Sequence, residues 1–84
     1  MKIIWSQDAW DDYLVWQKMD KKVLKRINLL IKDVMRNKND GIGKPEPLKH
    51  DWSGYWSRRI NQEHRLVCRV SADEVLIAQC RYHY

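Results

Sequence analysis

The sequence contains no phenylalanine, only two cysteines, two prolines and three glycines, and no long hydrophobic run. Each shortage excludes something. No stretch approaches the roughly 20 apolar residues that a helix needs to cross a bilayer, so no membrane association is expected. The first residues lack the basic, apolar and small-residue succession of a secretory signal, and the expected location is cytoplasmic. Cys68 and Cys80 lack the close Cys-x-x-Cys spacing of a metal or redox site. A disulfide or a zinc ligand is the functional alternative, but both cysteines fall on apolar faces of expected strands, which favours two buried thiols. There is no carboxylate cluster for a two-metal nuclease, and Gly41-Ile42-Gly43 lacks the rest of a dinucleotide fingerprint. No metal and no cofactor are therefore expected. No repeat, low-complexity tract or long linker divides the chain, so residues 1–84 are expected to form one domain.

Other residues are plentiful. Five tryptophans and four tyrosines replace phenylalanine as bulky filler. At 44% hydrophobic and 32% charged residues, the chain can pack a core and is not compositionally disordered. A core this small supplies little surplus stability, which makes a partner or a dimer useful. Sixteen Lys and Arg against eleven Asp and Glu leave a net charge of +5. Such an excess suits a polyanion: nucleic acid, an anionic membrane or an acidic protein. A merely basic soluble domain is the bland alternative.

The pattern of elements is β-α-α-β-β-β. KIIWS (2–6) reads as a strand. Ser6 can cap a helix with early Asp8, Asp11 and Asp12, where the helix dipole favours negative charge. Its apolar positions are Ala9, Trp10, Tyr13, Leu14 and Trp16. Asp20 can cap a second helix, roughly 21–37, whose stripe of Val23, Leu24, Ile27, Leu30, Ile31, Val34 and Met35 is continuous. Residues 37–51 hold both prolines and two of the three glycines and read as an irregular loop. So long a loop in so small a domain suggests function. Strands are then expected at 55–60, 64–70 and 74–83, joined by short antiparallel turns. The expected class is α+β, with a helical hairpin on one face of a small, mainly antiparallel sheet and the other face free.

Alternation along the strands predicts what that free face carries. Leu66, Cys68 and Val70 should face the helices, as should Leu76, Ala78, Cys80 and Tyr82. Arg65, Val67, Arg69, Gln79, Arg81 and His83 should face outward. A turn at Ala72–Asp73 places Arg65 near Cys80, with His83 roughly 10 Å further along. A turn near Gln62 places Arg59 opposite Arg65. Like charges on one face repel; a bound polyanion would explain their gathering. In the loop, Lys44 and Lys49 flank Glu46, which sits between Pro45 and Pro47 on a stiffened backbone.

This set can cleave RNA. The chemistry needs a base for the 2′-hydroxyl, an acid for the departing 5′-oxygen, and cations for the charge of the transition state. Glu46 can be the base. His83 can be the acid, because imidazole titrates near neutral pH. Arg65 can hold the phosphate bidentately, helped by Lys49 and Arg59. Tyr84 or Tyr82 can stack on a base. Lys44, Arg69 and Arg81 complete the expected RNA-binding set. His50 and His64 read as surface or pairing residues, and the tryptophans as core, with Trp52 and Trp56 possible exceptions near the loop.

MKIIWS, WDDYL, GKPEPLKH, SGYWSRRI, EHRLV and the terminal CRYHY span the chain. Together they resemble the YoeB family of the RelE/ParE toxin superfamily. The resemblance implies a RelE-like, microbial-RNase-like fold and a toxin of a type II toxin–antitoxin system. It implies a ribosome-dependent mRNA interferase acting in the A site of the 70S ribosome, with messenger RNA as substrate. It implies Glu46 as base, Arg65 as transition-state stabiliser, His83 as acid and Tyr84 as an orienting residue, with Lys49 and Arg59 assisting. The implied partners are a YefM-like antitoxin and a second copy in a homodimer. Two readings from another class remain: a ParE-like toxin that inhibits gyrase, and a non-catalytic RNA-binding module.

Overall fold

The computed structural model describes residues 1–82. A strand, β1 (Lys2–Trp5), leads into α1 (Gln7–Met19) and α2 (Lys21–Asn37). Then come β2 (Glu46–Pro47), a 3-10 turn (His50–Trp52), β3 (Trp56–Arg59), β4 (Arg65–Val70) and β5 (Glu74–Gln79). The strands form one sheet in the order β1-β5-β4-β3-β2. β1 runs parallel to β5, and the other pairings are antiparallel. The fold is the expected α+β arrangement with one addition, the two-residue β2 inside the supposedly irregular loop.

The helices begin where side-chain oxygens can satisfy their first amides. Ser6 Oγ accepts from the Ala9 N–H at 3.1 Å. Asp20 is the single residue between the helices; its extended backbone ends α1, and its carboxylate accepts from the Lys22 and Val23 N–H groups. The α2 stripe buries Val23, Ile27, Leu30, Ile31 and Val34 against Leu66, Cys68, Val75 and Ile77 of the sheet. Each such side chain contributes about 1.5–3 kcal/mol on burial. No helix among the described residues is long and apolar enough to cross a membrane.

The face assignments need three corrections. Leu66 and Cys68 are buried against the helices as expected, but Val67 is buried too, apart from that core cluster. On β5 the inward residues are Val75 and Ile77, not Leu76 and Ala78. Directly opposed residues share a face, and Cys68 pairs with Ile77. The register then shifts, because Val67 pairs with Gln79, leaving Ala78 as an extra residue. This bulge reverses the phase and returns Cys80 to the core. Tyr82, expected inward, is 51% exposed, and β5 ends at Gln79 rather than at residue 83. The bulge also moves Arg65, whose N–H donates to the Tyr82 carbonyl at 3.1 Å, beyond the expected level of Cys80.

The tryptophans are less buried than expected. Only Trp16 is fully enclosed, Trp52 and Trp56 are half-buried, and Trp10 is 41% exposed. Trp5, Trp10 and Tyr13 form an aromatic cluster with centroid separations of 4.7–6.0 Å.

Candidate active site

The loop from 43 to 48 is held against β3 by backbone bonds. The Arg59 N–H donates to the Gly43 carbonyl at 2.7 Å, and the Leu48 N–H donates to the Tyr55 carbonyl at 2.9 Å. Between these anchors Glu46 pairs with Ser57. Ser57 in turn pairs with Val67, and Val67 with Gln79. Because opposed residues share a face, Glu46 stands on the face away from the helices, with its side chain exposed. Gly43 makes the approach possible: at φ +83° a Cβ would lie 2.8 Å from Leu30 Cδ2 and 3.2 Å from Arg58 Cβ. Lys44 continues in the left-handed region at φ 50°. Lys44 and Lys49 are both exposed, and Lys49 precedes the 3-10 turn.

Two residues along β3, on the same face, Arg59 lies directly opposite Arg65. Two residues of strand span about 6.6 Å, so the paired arginines stand one step from the Glu46 row. The side chain of Arg65 is braced by the turn that precedes it. Its Nη1 donates to the carbonyls of Asn61 at 2.6 Å, His64 at 3.0 Å and Gln62 at 3.3 Å. A directly opposed pair of cations disfavours the sheet by a few tenths of a kilocalorie to about 1 kcal/mol. An anion between them would offset that repulsion and could accept from both guanidinium groups. Arg69 lies further along β4, exposed, with its guanidinium 5.2 Å from the Tyr55 ring centroid.

Arg81 does not join this group in the expected way. Its guanidinium carbon lies 4.8 Å from the Tyr82 ring centroid and 5.8 Å from that of Trp16, a residue of α1. The charge of Arg81 also acts on Asp12, the carboxylate that accepts from the Cys80 N–H at 3.2 Å. Burial raises Asp12 above the usual carboxylate value of 3.8, against the lowering effects of that hydrogen bond and of Arg81. His83 and Tyr84 lie outside the described residues.

Two buried residues outside the expected site set, Arg58 and His64, brace this face from behind. Arg58 is opposite Leu66 and only 1% exposed. Its guanidinium donates to Asp33 of α2 and to the carbonyls of Lys38, Asp40 and Ile42, tying the end of the helix to the loop that leads to Glu46. The Arg58 hydrogen bond holds Asp33 below the usual carboxylate range. His64, read as a surface or pairing residue, is buried. Its neighbour Trp16 packs edge-on at 4.7 Å and donates through Nε1 to the Cys80 carbonyl at 2.8 Å. Cys68 and Cys80 are free, buried thiols, which burial pushes up to about 11 and about 12 respectively. At neutral pH they remain protonated, unsuited to nucleophilic or ligand roles. Among the described residues, no group of three His, Cys, Asp or Glu side chains is placed to hold a metal ion.

The profile of the YoeB-like toxins of bacterial type II toxin–antitoxin systems matches residues 5–84. The chain belongs to this family. It is 63% identical over its whole length to Toxin YoeB of Escherichia coli (strain K12), covering all of that protein. The fold is equally close: the YoeB/ParE toxin from Agrobacterium tumefaciens superposes with a TM-score of 0.96 at 50% identity, with both chains fully covered. YoeB from Staphylococcus aureus has been seen as a dimer, with a TM-score of 0.94 at 50% identity. The same protein in complex with YefM gives 0.93 at 49%. In both cases all of this chain and 98% of the other are covered. The protein is accordingly a toxin of a type II toxin–antitoxin system.

Proposed function

We propose that this toxin is a ribosome-dependent endoribonuclease that cuts messenger RNA in the ribosomal A site and so stops translation. The observation that supports it most is the pairing of β2 with β3, whose register puts Glu46 on the exposed face in the row next to that of the opposed Arg59 and Arg65. A base beside a pair of phosphate-binding cations is what in-line attack by a 2′-hydroxyl requires.

In the proposed reaction Glu46 takes the proton of the 2′-hydroxyl. The 2′-oxygen forms a bond to the adjacent phosphorus as the bond from phosphorus to the 5′-oxygen breaks. Arg65, with Arg59 and Lys49, neutralises the charge that builds on the non-bridging oxygens. His83 delivers a proton to the departing 5′-oxygen, and Tyr84 orients the nucleotide. The products are a 2′,3′-cyclic phosphate and a 5′-hydroxyl, with no net gain or loss of protons. Lys44, Arg69 and Arg81 contribute to RNA binding, Arg81 from the α1 side. The reaction places the toxin in the cytoplasm. A YefM-like antitoxin and a second copy of the chain are its proposed partners, as their complexes with the staphylococcal relative suggest.

Primer extension on messages carried by translating ribosomes tests this reading. Cuts within codons are expected for the wild type and none for His83→Gln. If no cuts appeared while the protein blocked supercoiling by gyrase, the ParE-like alternative would replace it. Binding of RNA without cleavage or gyrase inhibition would leave only the binding-module reading.

A further inference from the structure

The chain leaves β5 at Gln79, yet the next three residues are firmly held. The groups that hold them come from side chains and a turn, not from a continuing strand ladder. The Cys80 N–H goes to Asp12, and the Cys80 carbonyl is taken by Trp16. Tyr82 then adopts φ 61°, in the left-handed region that a bulky residue rarely visits. Both of its backbone polar groups are engaged. Its N–H donates to His64 Nδ1 at 2.7 Å, and its carbonyl accepts from the Arg65 N–H at 3.1 Å. An unfavourable backbone conformation persists where its surroundings over-determine it, and such places cluster at functional sites.

His64 is itself fixed. It is 6% exposed, between Trp16 at 4.7 Å and the Tyr82 ring at 5.3 Å. Asn61 Oδ1 accepts from its N–H at 2.8 Å, and its carbonyl accepts from Arg65 Nη1 at 3.0 Å. To accept from an amide, Nδ1 must carry no proton, which leaves the proton on Nε2, 3.8 Å from the Glu63 carboxylate.

We infer that His64 is a positioning residue for the cleavage reaction: by holding the Tyr82 N–H through Nδ1, it fixes the left-handed turn from which the chain passes to His83 and Tyr84. The inference rests on the ribonuclease reading above. It joins two halves of that chemistry, since the residue that holds the tail of the proposed acid also braces, through its carbonyl, the arginine proposed to hold the phosphate. One residue thus bears on both, by its ring and by its carbonyl.

Asparagine and glutamine separate the acceptor from the ring. Asn places its Oδ1 near the position of Nδ1, whereas Gln places its Oε1 near that of Nε2. The full-length toxin would be tested on programmed ribosomes, with single-turnover rates at saturating toxin compared at equal folded fraction. His64→Gln is expected to slow cleavage at least tenfold, since misplacing a reacting group by about 1 Å can cost up to a hundredfold. The toxin concentration for half-maximal rate should stay unchanged. His64→Asn should recover most of the rate. In nitrogen-15 NMR spectra the Tyr82 amide should shift upfield in the Gln variant and stay near its wild-type position in the Asn variant. Wild-type cleavage by His64→Gln would overturn the inference, as would equal slowing by Asn and Gln with both proteins folded. A wild type that makes no cuts would instead overturn the ribonuclease reading itself.

Discussion

Replacing Arg58 with alanine should cost about 3 kcal/mol, the lower end of the roughly 3–5 kcal/mol lost when one partner of a buried ion pair is removed. The structure says why the lower end applies. Arg58 is 1% exposed, and its loss strips donors from Asp33 and from the carbonyls of Lys38, Asp40 and Ile42. Each charged hydrogen bond is worth about 1.5–3 kcal/mol, but the four share one guanidinium and do not add. The Asp33 side chain keeps 15% exposure and two other donors, the Ile42 N–H and Asn37 Nδ2. At about 0.05–0.15 kcal/mol per residue, a chain of this length holds roughly 4–13 kcal/mol in all, so the variant should fold but be weakened. A thermal midpoint lower by roughly 12–24 °C follows from about 4–8 °C per kcal/mol. Guanidinium titration at fixed m-value measures the loss directly. The pH dependence has a definite sign. Arg58 lowers the folded-state pKa of Asp33, so the stability it confers is complete above the unfolded value of 3.8 and is lost as pH falls through the lower folded one. The difference between wild type and variant should therefore shrink in strong acid. A loss below about 1 kcal/mol at pH 7, or one that grows on acidification, would refute the view that this guanidinium ties α2 to the Glu46 loop.

Gly43→Ala should destabilise by about 2–4 kcal/mol, combining a left-handed backbone with overpacking against Leu30 and Arg58. Gly54→Ala is the control in a urea titration, because its added Cβ would meet nothing nearer than 4.0 Å and only the backbone cost of about 1 kcal/mol remains. Asp12→Asn should leave the protein at least as stable at pH 7, because Asn still offers an oxygen to Cys80 and carries no charge. Burial raises the folded-state pKa of Asp12, so its contribution is complete below 3.8 and is lost as pH rises through the folded value; any gain from Asn should fade in melts near pH 3.5.

The helices were legible because their information is local. The α2 stripe repeats with the helical period, and Ser6 and Asp20 mark the starts within three residues of the amides they satisfy. β2 was not legible, since a glutamate between two prolines joins a strand only through pairing with residues about ten positions further along. The faces of β5 failed for a related reason. A period of two carries a phase, and one extra residue at Ala78 reverses it without any change in composition.

The inward placement of Arg58 and His64 follows from strand alternation. Arg58 and Arg59 are neighbours in one strand, so they cannot share a face. If Arg59 and Arg65 oppose each other on the side away from the helices, then Arg58 must point toward them and needs an acid there, which Asp33 supplies. By the same step, His64 beside Arg65 must turn inward, where it meets Trp16 and the backbone of Tyr82. Pairs of polar residues at the ends of these strands therefore have divided duties. Arg59 and Arg65 oppose each other on the face away from the helices. Arg58 and His64 hold the two irregular segments beside that face, the loop that leads to Glu46 and the turn at Tyr82. A basic face built in this way depends on its buried neighbours for geometry. If the toxin is the ribonuclease proposed above, loss of a buried member should reduce its cleavage rate, even though it removes no charge from the exposed face.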